Sequence, residues 1–333
     1  MSKQNRNWTI FGSILFVFFM AAMILLFLYL NDARSVDKVS ESSKPYVAVI
    51  TKSTNSAFWK SCYAGGSAAG TEYNLDVTFN GPINEEDYET QNKMINQAVK
   101  DGAQVIVFSA VDYDANAEAI NAAAAQGVKI VVIDSDVNSN MVSTRIGTDN
   151  YVAGENAGME VLSTDLPEIN IGIVNYDKNS ENGQQREKGF RSVLTENDRV
   201  HIVDAINVLS DTEAAKKDTE TMLREHPEIN VIATFNEWTS LGVGYAVEEM
   251  GLGKKTMVVA FDSNVVSVGM LETGEVDALI VQNPYAMGYL GVESAYNLIH
   301  GISVPAERDT ETTLITRENM YDEECQRVLF AFD

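Results

Sequence analysis

Nine short apolar runs, evenly interleaved with helix-like segments, constrain this chain more than any other feature. They are YVAVI (46–50), LDVTF (75–79), VIVFS (105–109), IVVID (130–134), INIGIV (169–174), HIVDAI (201–206), NVIATF (230–235), MVVAF (257–261) and ALIVQ (278–282). Most are continuous and rich in Val and Ile rather than alternating. That pattern belongs to strands buried on both faces of a parallel sheet. Between them, EEDYETQNKMINQAVKDG (85–102) places Tyr88, Met94, Ile95 and Val99 on one stripe and closes on Gly102. ANAEAINAAAAQG (115–127) repeats the design and also ends on Gly. β–α units of about 25–30 residues suit right-handed crossovers. The rhythm breaks at DVNSNMVSTRIGTDN (136–150), and a first lobe boundary is placed there. The expectation is an α/β fold of two lobes. In such open sheets, ligands bind at the carboxyl ends of the strands.

A second constraint lies upstream. Residues 8–30, WTIFGSILFVFFMAAMILLFLYL, contain no charge and are long enough to cross a bilayer as a helix. Lys3 and Arg6 precede the run, and the positive-inside rule keeps that end in the cytoplasm. The expectation is a single-pass membrane anchor over 1–31, a polar tether over 32–44, and a binding domain outside the cytoplasm. Cleavage as a signal peptide stays open, although the small-residue site Ala33-Arg34-Ser35 is weak. No cysteine follows the run where a lipid anchor would need one.

The residue inventory narrows the chemistry. A formal net charge of -24 argues against nucleic-acid partners, which need concentrated Lys and Arg. Cys62 and Cys325 form no C-x-x-C motif, so neither a zinc site nor a dithiol pair is expected, and a disulfide between them cannot be read from sequence. His201, His226 and His300 lie near no motif. Gly251-Leu252-Gly253-Lys254-Lys255 lacks the spacing and the Ser/Thr of a phosphate loop. Gly65-Gly66-Ser67-Ala68-Ala69 falls inside a helix-like segment and reads as a packing surface, not a nucleophile elbow. No catalytic group, metal or cofactor is expected.

Distributed motifs add a family resemblance. From about 45 to 318 the chain resembles the type I periplasmic binding proteins, on the ribose-, galactose- and xylose-binding branch. The motifs that carry it are Asn55-Ser56-Ala57-Phe58-Trp59, IVVIDSD (130–136), IGTDNYVAG (146–154), Arg186-Glu187-Lys188-Gly189-Phe190, FNEWTSLG (235–242), VVAFDS (258–263) and VDALIVQNP (276–284). The resemblance implies two Rossmann-like lobes with parallel sheets, joined by a three-segment hinge with crossings near 147–150, 282–284 and 309–312. The first lobe would comprise 45–148 plus 284–309, and the second 149–283 plus 310–333.

It also implies a ligand site for a small sugar or polyol. Sugars need paired donors and acceptors for their hydroxyls and aromatic rings for their C–H faces. Phe58 and Trp59 could sandwich a ring, or one of them packs in the lobe core. Asp134 and Asp262 end strands and could each accept from vicinal hydroxyls, or cap the following helix. Asp136 is either a further ligand contact or a solvated loop residue. Arg186 offers a planar fork of donors, or sits exposed and bonded to Asn182. Asn236 and Gln282 can both donate and accept, with Glu237 and Trp238 as neighbours. Ser56 and Ser135 depart from the residues common in relatives, which leaves the particular sugar open.

Two binding roles fit. One is the capture subunit of an ABC importer, delivering sugar to a membrane permease. The other is the sensory subunit of a membrane histidine kinase. An enzyme on the same scaffold is the remaining alternative, because fold does not dictate function.

Overall fold

The computed structural model describes residues 20–26, 44–195 and 197–330. The chain divides into two units, Met1–Lys44 and Pro45–Asp333. In the first unit, 20–26 are helical. Most of the apolar run over 8–30 lies outside the described residues. Among the described residues no helix is long and apolar enough to cross a membrane.

The second unit contains two six-stranded sheets. In chain order the strands are β1 (Tyr46–Ile50), β2 (Asp76–Asn80), β3 (Val105–Phe108), β4 (Lys129–Ile133), β5 (Val142–Gly147), β6 (Ile169–Asn175), β7 (Val200–Asn207), β8 (Val231–Thr234), β9 (Met257–Phe261), β10 (Ala278–Val281), β11 (Glu307–Asp309) and β12 (Thr313–Thr316). The helices are α1 (Ala57–Glu72), α2 (Tyr88–Lys100), α3 (Ala117–Ala125), α4 (Asn150–Leu162), α5 (Glu181–Leu194), α6 (Thr212–Glu225), α7 (Glu237–Glu249), α8 (Val265–Thr273), α9 (Pro284–Ile299) and α10 (Glu323–Leu329).

The first sheet runs β11-β5-β4-β3-β1-β2, all parallel. The second runs β12-β10-β9-β8-β6-β7, parallel except that β12 pairs antiparallel with β10. Each sheet sends side chains to both faces, so each lobe has two apolar layers. Val47, Val49, Val105 and Val131 pack under α1 and α9, while Ala48, Ile50, Ile106 and Ile130 pack on the opposite face. The second lobe repeats the plan with Ile171, Ile173 and Val231 on one face and Val174, Ile232 and Val258 on the other.

All nine sequence-read runs are strands. Three strands escaped that reading. β5 lies inside the stretch taken as a break in rhythm, and β11 and β12 are short and mostly half-exposed. The chain passes from the first sheet to the second after β5, returns after β10, and passes over again between β11 and β12. All three passages leave from strands near one edge of each sheet. The opposite edges are β2 and β7.

Close helix contacts complete each lobe. α1 crosses α9 where a Cβ on Gly288 would stand 1.9 Å from the Cys62 carbonyl oxygen. The reading of Gly65-Gly66 as a packing surface agrees with this crossing. Cys62 and Cys325 are both free and buried, in the apolar clusters of different lobes.

Candidate functional site

The carboxyl ends of both sheets face a common, tightly closed cavity of about 30 Å³. Two aspartates stand at equivalent places in the two lobes. Asp134 follows β4 and Asp262 follows β9, and both hold left-handed backbone, with φ of 58° and 66°. Each amide still donates to the neighbouring strand, Asp134 to Ile146 O and Asp262 to Ile280 O, both at 3.0 Å. Non-glycine residues in that region are strained by roughly 1–3 kcal/mol and gather at functional sites. The kink turns each carboxylate into the cleft. Neither is a helix cap, since α8 is capped by Asn264 and the element after Asp134 is β5.

Burial dominates the electrostatics. It pushes Asp262 up to about 7, against the pull of Arg186 and the hydrogen bond from Gln282. It raises Asp134 as well, opposed by the nearby Lys52 and Arg186. Asp134 accepts from Ser109 Oγ at 3.1 Å and from Asn182 Nδ2 at 3.2 Å.

Arg186 on α5 is buried rather than exposed. Its Nε donates to Asn150 Oδ1 at 2.9 Å, Nη1 to Phe235 O at 2.7 Å and Nη2 to Gln282 Oε1 at 2.6 Å. The guanidinium lies 4.9 Å over the Phe261 ring. Its expected partner, Asn182, instead donates to Asp134. Gln282 donates in turn to Asp262 Oδ1 at 2.6 Å and accepts from Thr148 Oγ1 at 3.0 Å. One hydrogen-bonded chain therefore joins the ends of two inter-sheet passages to both Arg186 and Asp262. The R-x-x-G-F spacing has a packing reason too: a Cβ on Gly189 would stand 2.0 Å from Tyr151 O, so α5 can lie close on α4.

Phe58 and Trp59 open α1, capped by Ser56, whose Oγ accepts from Trp59 N. Both rings sit in the first-lobe core and border the cavity, edge to face with centroids 4.8 Å apart. The indole Nε1 donates to Glu85 Oε1 at 2.9 Å. From the second lobe, Glu237 Oε1 and Oε2 accept from the Ala57 and Phe58 amides, both at 3.2 Å. Burial raises the Glu237 carboxyl, opposed by these amides and by Asn264. Lys52 Nζ donates across the cleft to Ser180 Oγ at 2.7 Å and lies 5.2 Å from the Tyr176 ring centroid.

Of the expected site residues, Phe58, Trp59, Asp134, Arg186, Asn236, Asp262 and Gln282 all line this cavity. Asp136 does not. It pairs with Arg145 at 2.8 Å and borders a separate depression beside β5 and β11. Its carboxylate is drawn to that guanidinium nine residues along the chain, away from the cleft. Lys52, Glu85, Tyr176 and Asn182 also line the cavity and were missed. A lysine directly after the buried run YVAVIT was a readable signal for Lys52. Glu85 lies in a loop with no local pattern to mark it. Among the described residues, no group of three or more His, Cys, Asp or Glu is placed to hold a metal ion.

Two parallel-sheet lobes, three passages between them and a polar cleft with aromatic walls define a two-lobed binding protein. Residues 47–303 match the family described as periplasmic binding protein domain, and the chain belongs to that family. The family is one of binding proteins, not of enzymes. Among curated relatives, the D-ribose/D-allose-binding protein of Pseudomonas aeruginosa is 24% identical over 274 residues, covering 80% of this chain and 86% of that one. A carbohydrate transporter solute binding protein from Agrobacterium radiobacter, solved in complex with D-arabinose, superposes with a TM-score of 0.84 at 27% identity, covering 87% of this chain and 100% of that one. A chain of the XylFII–LytSN complex superposes with a TM-score of 0.77 at 26% identity, covering 83% of this chain and 98% of that one.

Proposed function

We propose that this chain binds a small sugar or polyol in the interlobe cleft, outside the cytoplasm, and presents the closed form to a membrane partner. One observation carries the reading: two kinked carboxylates, one per lobe, the half-buried Asp134 and the buried Asp262, face a cavity walled by Phe58, Trp59 and Trp238. Carboxylate oxygens accept from vicinal hydroxyls, and the rings cover C–H faces. Four carboxylates (Glu85, Asp134, Glu237 and Asp262) outnumber the two cations Lys52 and Arg186, which disfavours anionic ligands. The Agrobacterium transporter protein with bound D-arabinose supports the same class.

The membrane partner in this reading is the permease of an ABC importer. A second reading makes the chain the sugar-sensing subunit of a membrane histidine kinase, and its likeness to a chain solved in complex with a second protein favours keeping it. The apolar run over 8–30 serves as the anchor in both. Fractionation checks the anchor: full-length chain is expected with membranes, and a chain lacking 1–31 in the soluble fraction. Recovery of full-length chain in the soluble fraction would refute it.

Thermal shift against pentoses, hexoses and polyols tests the ligand class. A true ligand at about 100 times its Kd adds roughly 2.7 kcal/mol of stability. No shift with any member of the panel would overturn the reading.

A further inference from the structure

The free edge of the cleft, furthest from the passages between the sheets, is closed by bonds that involve protein atoms alone. Glu85 and Glu86 lie in the loop after β2, the outer strand of the first sheet. Ser210 lies in the loop after β7, the outer strand of the second. Ser210 Oγ donates to Glu85 Oε2 at 2.9 Å, and Ser210 N donates to Glu86 Oε1 at 2.6 Å. Bonds to ionised acceptors are about twice as strong as neutral ones. At the edge opposite the passages, a contact also has the longest lever against opening.

The same groups reach the ligand cavity from both sides. Glu85 Oε1 accepts from the Trp59 indole at 2.9 Å, and Asn236 Nδ2 donates to Ser210 Oγ at 2.7 Å. A continuous chain, Trp59–Glu85–Ser210–Asn236, therefore ties an aromatic wall of the first lobe to a polar group of the second. Glu85 is buried although it is a carboxylate, and no cation is paired with it among the described residues. A buried carboxylate is retained where its acceptors are used, and here both oxygens serve this chain.

We propose that Glu85, Glu86 and Ser210 form an interlobe clasp that holds the cleft shut, positions Trp59 against Asn236, and sets how long a ligand stays. The positioning and residence parts rest on the sugar-binding reading above; the clasp itself does not. Three variants separate its parts. Ser210→Ala removes the hydroxyl shared by Glu85 and Asn236. Glu85→Ala removes both acceptor oxygens. Glu85→Gln keeps an acceptor for the indole and a polar partner for Ser210.

The experiment uses the full chain in lipid nanodiscs, with spin labels at Lys93 on α2 and Asp218 on α6, both exposed and one in each lobe. Without sugar, the wild-type distance distribution is expected to contain a closed component. That component is expected to fall at least about fivefold in Ser210→Ala and Glu85→Ala, and to be largely retained in Glu85→Gln. With a sugar from the thermal-shift panel, the same two variants are expected to release it about tenfold faster with little change in association rate. A merely structural role would lower the melting temperature without this split. A wild-type distribution with no closed component, or one unchanged in Ser210→Ala, overturns the clasp. Unchanged release rates in both variants overturn its control of residence. If no sugar binds wild type, the sugar reading and the residence role fall together, and the distances still decide the clasp. Should Glu85→Ala fail to fold, Ser210→Ala on the opposing lobe decides the matter.

Discussion

Asp262 shows what a cavity-lining carboxyl takes from the fold that holds it. Its ordinary value is 3.8, and burial raises it to about 7. Between about pH 4 and pH 7 the folded state keeps a proton that the unfolded chain has released. Stability therefore falls as pH rises through that window, and the whole penalty is present above about 7. Asp262→Asn removes the titration, keeps an acceptor for Gln282 Nε2, and tolerates a φ of 66°. The variant is expected to be more stable than wild type above pH 7, by on the order of a few kcal/mol, and equal to it near pH 4. Above pH 7, where the Asp262 carboxyl is ionised, its sugar affinity is expected to drop by about 1.5–3 kcal/mol through loss of a charged acceptor. Urea melts across pH and titration calorimetry read the two effects, and a variant with wild-type pH dependence would show that Asp262 is not the titrating group. Arg186 teaches a related lesson. Its motif spacing marked it, but only the fold shows that it lines the cavity while three of its donors go to Asn150, Phe235 and Gln282.

Elements explain which parts of the architecture were readable. β1, β3, β8 and β10 read clearly because the sheet buries both their faces, which forces a continuous apolar run. β5, VSTRIG, is largely half-buried and keeps polar residues, so its composition matches a loop. β11, ERD, has no apolar residue at all, and its pairing with β5 is set by the chain returning from α9. No local rule finds such a strand, and the return itself came from the family resemblance rather than from spacing. Contact between α1 and α9 is the element-scale feature most open to test. A methyl on Gly288 would meet Cys62 O at 1.9 Å, and backbone on both sides leaves nothing small to move. Gly288→Ala is expected to lower stability by about 1–3 kcal/mol, by the ordinary overpacking penalty, despite alanine's better helix propensity. Gly269, on an open helix face, is the control, and Gly269→Ala is expected to be neutral or stabilising. Equal behaviour of the two in urea melts would refute the packing argument.

At the scale of the whole molecule, connectivity and chemistry point the same way. The passages after β5, after β10 and between β11 and β12 gather near one edge of each sheet, so the lobes can turn about that edge while few residues change dihedral angle. Phe58 and Asp134 of one lobe and Asn236, Trp238 and Asp262 of the other line the cavity together, so on the proposed reading a ligand would touch both lobes only when the cleft is shut. That differential contact is what lets a ligand shift the equilibrium, and a shift from 1:99 to 99:1 needs about 5.5 kcal/mol of preference for the closed form. Protein–protein bonds across the cleft supply part of the closed form's stability before any ligand arrives. Besides the Ser210 bonds, they include Lys52 to Ser180 and the α1 amides to Glu237. Ligand-induced compaction should therefore be modest in wild type and larger once the free edge is released. Small-angle scattering is expected to show a smaller radius of gyration with sugar than without, and a greater decrease for Ser210→Ala than for wild type. Trp238→Ala, which removes an aromatic wall of the cavity on the second lobe and leaves the Ser210 bonds intact, is expected to bind more weakly and to need more sugar for the same compaction. An unchanged radius at saturating sugar in both wild type and Ser210→Ala would mean that closure is not what the membrane partner reads.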